Sequence, residues 1–341
     1  MTKKVRRFKR KKTPEDYVTK SSDVSEFKIS TDLKTTYWFK DKVFSLALKI
    51  SLWLFKFLHR DLFYSHERIR FRKKTGYWPN LSSPRSFNEK ITYRKLHDRN
   101  PLLSITVDKY KVRDYVRQCL GDEVANQILI PLLHVTEDPD KIPFDNLPEE
   151  YVIKVNHASG RNILVNNKFD LDRKEVRDKV RLWLREPYGF FKHEWAYSQV
   201  PRKIIIESML KTETGDLPCD YKFHMFNGEC HMIQVNQGHF ADKTNRTLTL
   251  FTPEWNKINV FWEFKSSNDS VNKPEHLPDL LEIAGKLASD FDYVRVDLYN
   301  IDDQIYFGEL THYPTSGSAL IQPVNFDFEV GSKLKLSIIS D

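Results

Sequence analysis

At 341 residues, 40% hydrophobic and 13% aromatic, the chain is long enough to bury a sizeable core in two or so domains, which excludes a disordered binder. Its formal net charge of +7 is concentrated in Lys3, Lys4, Arg6, Arg7, Lys9, Arg10, Lys11 and Lys12, and removing these eight from +7 leaves a body at −1. Basicity therefore belongs to a tail that suits anionic lipid, nucleic acid or an acidic polymer, and that a solvated arm explains equally well.

The basic start runs into the polar stretch Thr13 to Thr36 and not into an apolar core with a cleavage site, so a cytosolic setting is expected. Val43 to Leu58 is strongly apolar but carries Lys49 and Lys56 close to one helical face with Lys42 and Ser45, while Phe44, Leu48, Leu52 and Phe55 line another. Sixteen residues with two lysines are too short and too charged for a comfortable span. The segment either lies in a membrane interface or packs on the protein's own core, and the neighbouring tail tilts the reading towards the membrane surface. Arg68 to Gly76 is basic again. Ser86-Phe87-Asn88-Glu89 has the spacing of a capping box before a short helix, and Asp108 suits the cap of a second helix over Lys109 to Leu120. Ile128 to Val135 reads as a strand, and the proline-punctuated stretch Pro139 to Pro148 as a connector between lobes.

Tyr151 to Val165 predicts a hairpin in which a lysine strand, Lys154, enters the polar turn Asn156 to Asn162 around Ser159-Gly160. Such a tip can fold over phosphates with its backbone N–H groups, although Ser-Gly turns are common. Lys203 to Leu210 is an apolar strand ending near an acid, Glu207, and Asp220 to Val235 is two alternating strands around Asn227-Gly228. The last pair, Val294 to Tyr299 and Phe307 to Thr311, places Arg295 with Asp297, and Glu309 with Thr311, on single faces of two strands, with Asn300 to Gln304 as the expected turn. If the strands are in register, one face carries a cation, two carboxylates and a hydroxyl, which a magnesium-phosphate complex can use and hydrophobic packing cannot. Cys119, Cys219 and Cys230 have none of the short spacings of zinc or redox sites. His157, His224, His231, His239 and His312 show no HExxH spacing, and no GxxxxGK[ST] occurs. Trp255 to Trp262 could stack on sugar, though core packing is the more ordinary use.

In sequence order, FNEKI, DKYKVRDYV, VIKVNHASGRNI, DYKFHMFNG and RVDLYN with IYFGELTHYP resemble the TupA-like branch of the ATP-grasp superfamily, named for teichuronopeptide biosynthesis, over roughly residues 68 to 325. The resemblance implies an α+β ATP-grasp fold, two α+β lobes holding a nucleotide between antiparallel sheets, here behind a helical N-terminal extension. The expected divisions are residues 1–67 for the tail and extension, 68–148 for an N-terminal lobe and 149–341 for the ATP-grasp domain, with lobes at about 149–210 and 211–341. It further implies ATP and Mg2+ as cofactors. Lys109 and Lys154 would lie near the phosphates, with His157, Ser159, Gly160 and Asn162 in the covering loop. Glu207 would sit near adenosine and the Met209 backbone at the base edge. Asp297, Glu309 and Thr311 would face the metal, and Arg295 and Lys222 the reacting groups. Many ATP-grasp ligases carry Asn where this chain has Thr311.

The implied reaction is amide formation. A carboxylate attacks the γ-phosphate, an acyl phosphate forms, and an amine displaces phosphate, which needs cations to bring two anions together and no side-chain nucleophile. By the same resemblance the acceptor is a uronic-acid carboxylate on a surface glycan or its sugar-nucleotide precursor, and the donor an amino acid or small amine. An anionic membrane surface at the cytoplasmic face is a candidate partner; nucleic acid is not favoured. A glycosyltransferase or a sugar kinase of polysaccharide biosynthesis, and a nucleic-acid-binding protein led by the basic arm, are the alternatives.

Overall fold

A computed structural model of the protein describes residues 60–215, 218–237, 247–267, 271–302 and 304–338. The basic tail, the amphipathic segment 43–58 and His239 lie outside the described residues. Among the described residues no helix is long and apolar enough to cross a membrane. The described residues from 64 onward form one compact unit.

Local signals set the helices. Helix α1 is Arg60–Thr75 and α2 is Phe87–His97. At the start of α2 the Ser86 hydroxyl accepts from the Glu89 N–H at 3.1 Å, while Glu89 Oε2 accepts from the Ser86 N–H at 2.9 Å, closing the capping box. The same buried carboxylate takes the N–H groups of Asn80 and Arg85, both at 2.7 Å, and so fixes the chain entering the helix. Lys95 of α2 donates to Glu67 of α1 at 2.6 Å and to the Ser316 carbonyl at 2.8 Å. Helix α3, Pro101–Thr106, follows.

Asp108 caps a turn and not the helix itself. Its carboxylate accepts from Tyr110 N–H at 2.9 Å and Lys111 N–H at 3.3 Å, and α4 begins only at Val112–Leu120. Gly121, at φ +79°, turns the chain into α5, Asp122–Ile128. The strand expected over Ile128 to Val135 is therefore displaced: Ile128 closes a helix, and β1 is Leu132–Thr136. Ile128, Leu129 and Ile130 are all buried, and a short apolar run does not distinguish a buried helix end from a buried strand.

Strands β2, Tyr151–Val155, β3, Asn162–Val165, and β4, Ile204–Ser208, join β1 in an antiparallel sheet of order β1-β4-β2-β3. Period-two alternation gives β2 two uses. Tyr151, Ile153 and Val155 are buried against helix α6, Arg173–Arg185, whose Val176, Val180 and Trp183 form the matching stripe. Val152 and Lys154 face the other way, into a cleft. Ile142, Phe144 and Leu147 of the proline-punctuated stretch belong to the same core, and β1 pairs with β4, so this sheet crosses the division expected at residue 148.

The short helix α7, Trp195–Ser198, precedes β4. The second sheet contains β5, Asp220–Phe226, β6, Glu229–Gln237, β7, Thr247–Phe251, β8, Lys257–Ile258, β10, Tyr293–Ile301, and β11, Gln304–Thr311, in the antiparallel order β11-β10-β5-β6-β7-β8. Asn227 and Gly228 both have positive φ, +49° and +87°, as the two-residue hairpin turn requires. One face of this sheet, with Phe223, Met225, Val294, Val296 and Leu298, packs on helix α8, Leu277–Ala288, through Leu280, Ala284 and Leu287. The opposite face carries the polar residues considered below. Strand β9, Phe261–Trp262, pairs with β12, Ile321–Gln322, beside helix α9, Val324–Lys333. Trp262 is buried with Phe87, 5.5 Å between rings, and Trp255 stacks on Phe251 at 4.3 Å, so both tryptophans of that segment are used in packing.

The three cysteines are free. The buried histidines are neutral. His224 lies between Gln234 Oε1 at 3.2 Å and the Tyr293 hydroxyl at 2.9 Å, and burial pushes its pKa to about 3. Burial pushes His157 and His193 to about 4. Because these folded pKa values lie below the unfolded value, the unfolded chain takes up protons first as pH falls, and stability drops by about 1.4 kcal/mol per pH unit per histidine below about 6.5. Thermal unfolding between pH 6.5 and 5 should show this slope, reduced in His224→Gln. Equal slopes in the two proteins would remove His224 from the explanation.

Candidate active site

Strands β5, β10 and β11 lie side by side, and their register sets Lys222, Asp297 and Glu309 abreast in one row. Arg295 and Thr311 pair in the next row of β10 and β11. Both expected alternating faces are thus the same face. The strands run on to Ile301 and resume at Gln304, so the turn is tighter than Asn300 to Gln304. A bulge interrupts the ladder after Asp297, with Gly308 as the extra residue. A side chain at Gly308 would place its Cβ 2.9 Å from the Asp297 carbonyl oxygen, so the close crossing beside the two carboxylates requires glycine.

This face is a dense ionic lattice. The Arg295 guanidinium grips Asp297 twice, Nε to Oδ1 and Nη2 to Oδ2, both at 2.6 Å, and Nη2 also donates to Thr311 Oγ1 at 3.0 Å. Glu309 Oε1 lies 3.6 Å from the same Nη2 and accepts from the Thr311 hydroxyl at 3.1 Å. Lys222 donates to Asp297 Oδ2 at 2.8 Å and to Asp220. Burial alone would lower the Lys222 pKa, but Asp220 and Asp297 outweigh it and raise it. Burial likewise opposes charge on Arg295, and Asp297 overcomes it. Burial would lift Glu309, yet Lys109, Arg295 and Lys222 hold it at about 2. Asp220, buried beside Asp297, is raised mainly by desolvation.

Opposite this face stands the small sheet. Lys154 Nζ lies 2.7 Å from Glu207 Oε2, and Arg113 Nη1 3.4 Å from Glu207 Oε1. The sequence expectation places Lys154 at phosphate and Glu207 at adenosine; the folded chain joins them as an ion pair. Lys109 Nζ reaches Glu309 Oε2 at 3.3 Å across the cleft. Asn156 fixes the root of the β2–β3 loop: its side chain donates to Asp108 and to the Pro201 carbonyl, both at 2.8 Å, and accepts from Lys203 N–H at 2.7 Å. Its carbonyl takes the Lys109 N–H at 3.1 Å, so the lysine's turn and the loop share one anchor. At the loop tip Gly160 has φ +68°.

Between these walls is a cavity of about 690 Å³. Lys109, Lys154, Ser159, Gly160, Asn162, Glu207, Met209, Lys222, Arg295, Asp297 and Glu309 all line it. Two expected residues do not. His157 is buried inside the small lobe and neutral, and Thr311 stands behind Arg295 and Glu309, where its hydroxyl holds both. Sequence reasoning missed Arg113, Arg161, Asp220 and Tyr299, which also line the cavity. Asp220 was open to the same rule that found Asp297, since Asp220 and Lys222 are two apart on one strand. Arg113 had no local signal.

Among the described residues no group of three or more His, Cys, Asp or Glu could hold a metal. Asp297 and Glu309 do converge on one guanidinium nitrogen. Two carboxylates fit magnesium, which takes its other ligands from phosphate and water, and do not make a protein-only cage.

A cleft between antiparallel sheets, with paired carboxylates on one wall and lysines with a Ser-Gly loop on the other, is the arrangement of the ATP-grasp class. Residues 89–335 match the family model described as TupA-like ATPgrasp, and the chain belongs to that family. No curated protein matches the sequence. Among solved structures it is similar to the ADP complex of purK, N5-carboxyaminoimidazole ribonucleotide synthetase, with 11% identity, TM-score 0.40, and coverage of 66% of this chain and 50% of that one. It is also similar to D-alanine–D-alanine ligase from Bacillus anthracis (16% identity, TM-score 0.41, coverage 68% and 66%) and from Helicobacter pylori (12%, 0.38, 69% and 60%). The chain thus spans half to about two thirds of their lengths. At these scores the likeness is distant, and membership stands on the family match.

Proposed function

We propose that the protein is an ATP-dependent carboxylate-amine ligase that activates a carboxylate as an acyl phosphate and passes it to an amine. Family membership supports the class, and one observation carries the site: Arg295, Asp297 and Glu309 share a wall of the cleft, facing Lys109 and Lys154. ATP would lie along the cleft with its phosphates towards Lys109, Lys154 and the loop around Ser159 and Gly160, and its base towards Met209. Asp297 and Glu309 would hold Mg2+, which supplies charge neutralisation of the phosphates when bound.

The chain's own residues supply the rest. Arg295 neutralises and aligns the attacking carboxylate beside the phosphoryl group, bringing two anions to reacting distance. The carboxylate oxygen bonds to the γ-phosphorus as the bond to the leaving ADP oxygen breaks; the amine then attacks the acyl carbon, and phosphate departs. Lys222 keeps Asp297 oriented, and Thr311 keeps Arg295 and Glu309 in register. The favoured acceptor is a uronic-acid carboxylate of a surface polysaccharide or its precursor, with an amino acid or small amine as donor. Work on such an acceptor suits a peripheral position at the cytoplasmic membrane face, and the basic tail and segment 43–58 fit that placement.

Thermal shift against ATP, ADP and UDP-glucuronate, each with and without magnesium, tests the site because a ligand of the native state raises apparent stability by mass action. A magnesium-enhanced rise with ATP or ADP, lost in Asp297→Asn, is expected. A rise with UDP-glucuronate alone would replace the ligase with a glycosyltransferase.

A further inference from the structure

The loop that faces the cleft from the small lobe is not held by its own hairpin alone. Two side chains from the segment that follows α6 reach it. Glu186 Oε2 accepts from Arg161 Nε at 2.8 Å, and the Tyr188 hydroxyl lies beside Ser159, near its backbone and its side chain. Ser159 and Arg161 line the cavity. The Arg161–Glu186 pair is partly exposed, at 37% and 30%, so it is a contact that solvent and ligands can compete for.

The segment bearing these two residues is itself closely packed. Gly189 turns it at φ +79°, and a Cβ there would come within 2.8 Å of the Glu194 carbonyl oxygen. The Tyr188 ring meets Tyr197 edge to face at 5.1 Å. Glu194, buried, lies beside the side chain of Ser316, in the turn that follows β11. The loop tip is thereby linked, through a short piece of chain, to the turn that follows the strand carrying Glu309.

We propose that Glu186 and Tyr188 are positioning residues that hold the loop 156–161 over the cleft and so set its affinity for nucleotide phosphates. The inference rests on the nucleotide reading of the cleft. Gly160 has open space around it and a backbone conformation few residues adopt, so an untethered tip would sample many positions. Ordering it at the moment of binding would weaken the ligand by that cost, and a loop already tethered avoids it. Glu186 also holds the Arg161 guanidinium at the mouth of the cleft, where a phosphate can take its place as partner.

The test uses the full chain with Tyr188→Phe and Glu186→Gln, two conservative changes at half-buried positions. Hydrogen exchange in the nucleotide-free protein should rise across residues 156–161 in both variants, with exchange in β5 and β10 unchanged. Titration with Mg-ADP should give a Kd about three- to tenfold weaker in Tyr188→Phe, the scale of losing one hydroxyl's polar contact with the loop. Magnesium-ADP should restore loop protection in both. Unchanged loop exchange in both variants would overturn the tether while leaving the nucleotide site intact. If the loop loosens but Mg-ADP does not bind even the unsubstituted protein, both the role of the tether and the ligase reading fall.

Discussion

Arg295→Ala should lower ATP-dependent amide formation by about 10²–10³ or more, the scale of removing one preorganised donor from a developing anion, while leaving Mg-ADP affinity within about threefold. The separation follows from where the guanidinium stands. Its contacts are to Asp297, Thr311 and Glu309 on its own wall, whereas Lys109 and Lys154, which the proposed function assigns to the phosphates, line the cavity from the other side. Removing it leaves Asp297 still paired with Lys222, so the carboxylate is not stranded. Arg295→Lys should recover little, because one ammonium cannot reproduce a two-point grip on Asp297 together with the bond to Thr311. Phosphate release with an active amine and uronate pair gives the rate, and calorimetric titration with Mg-ADP the affinity. A variant that turns over normally would remove Arg295 from the chemistry; one that loses nucleotide binding in step with rate would make it a binding residue.

What could be read from the residues alone was whatever repeats with a local period. Arg295 with Asp297, and Glu309 with Thr311, were visible because a strand sends alternate side chains to one face, and the register then put both pairs on the same face. The capping box at Ser86 and the Asn227-Gly228 hairpin are likewise short-range and were found as expected. The fold and the sequence order of the cleft residues came from the family resemblance. Contacts between distant elements were hidden: Arg113 lies in a helix far along the chain from Glu207, and nothing near either residue announces their pairing. The Lys154–Glu207 ion pair depends on β2 and β4 becoming neighbours across the 48 residues between them, a fact of topology. His157 sits in a stretch rich in cleft residues yet points into the lobe, because side chains within a turn obey no simple alternation.

Lys222→Met is expected to destabilise the protein by about 3–5 kcal/mol, the cost of removing one partner from buried charges and leaving the others uncompensated. Lys222 is the shared cation of Asp220 and Asp297, and all three are buried. Without it two carboxylates face each other on neighbouring strands, and one oxygen of Asp220 already has no hydrogen-bond partner. The penalty should be strongly non-additive. Asp220→Asn with Lys222→Met should be more stable than Lys222→Met alone, since the neutral amide removes the stranded charge while Arg295 still holds Asp297. Denaturant unfolding of the two single variants and the double supplies the cycle. A single variant that loses less than about 1 kcal/mol would mean the acids protonate or hydrate without cost. Such an outcome would also weaken the view that this lattice holds Asp297 in place before any nucleotide arrives. The cycle thus bears on function: a carboxylate held in place by Lys222 and Arg295 needs little rearrangement to meet a cation, and one left untethered must be ordered first.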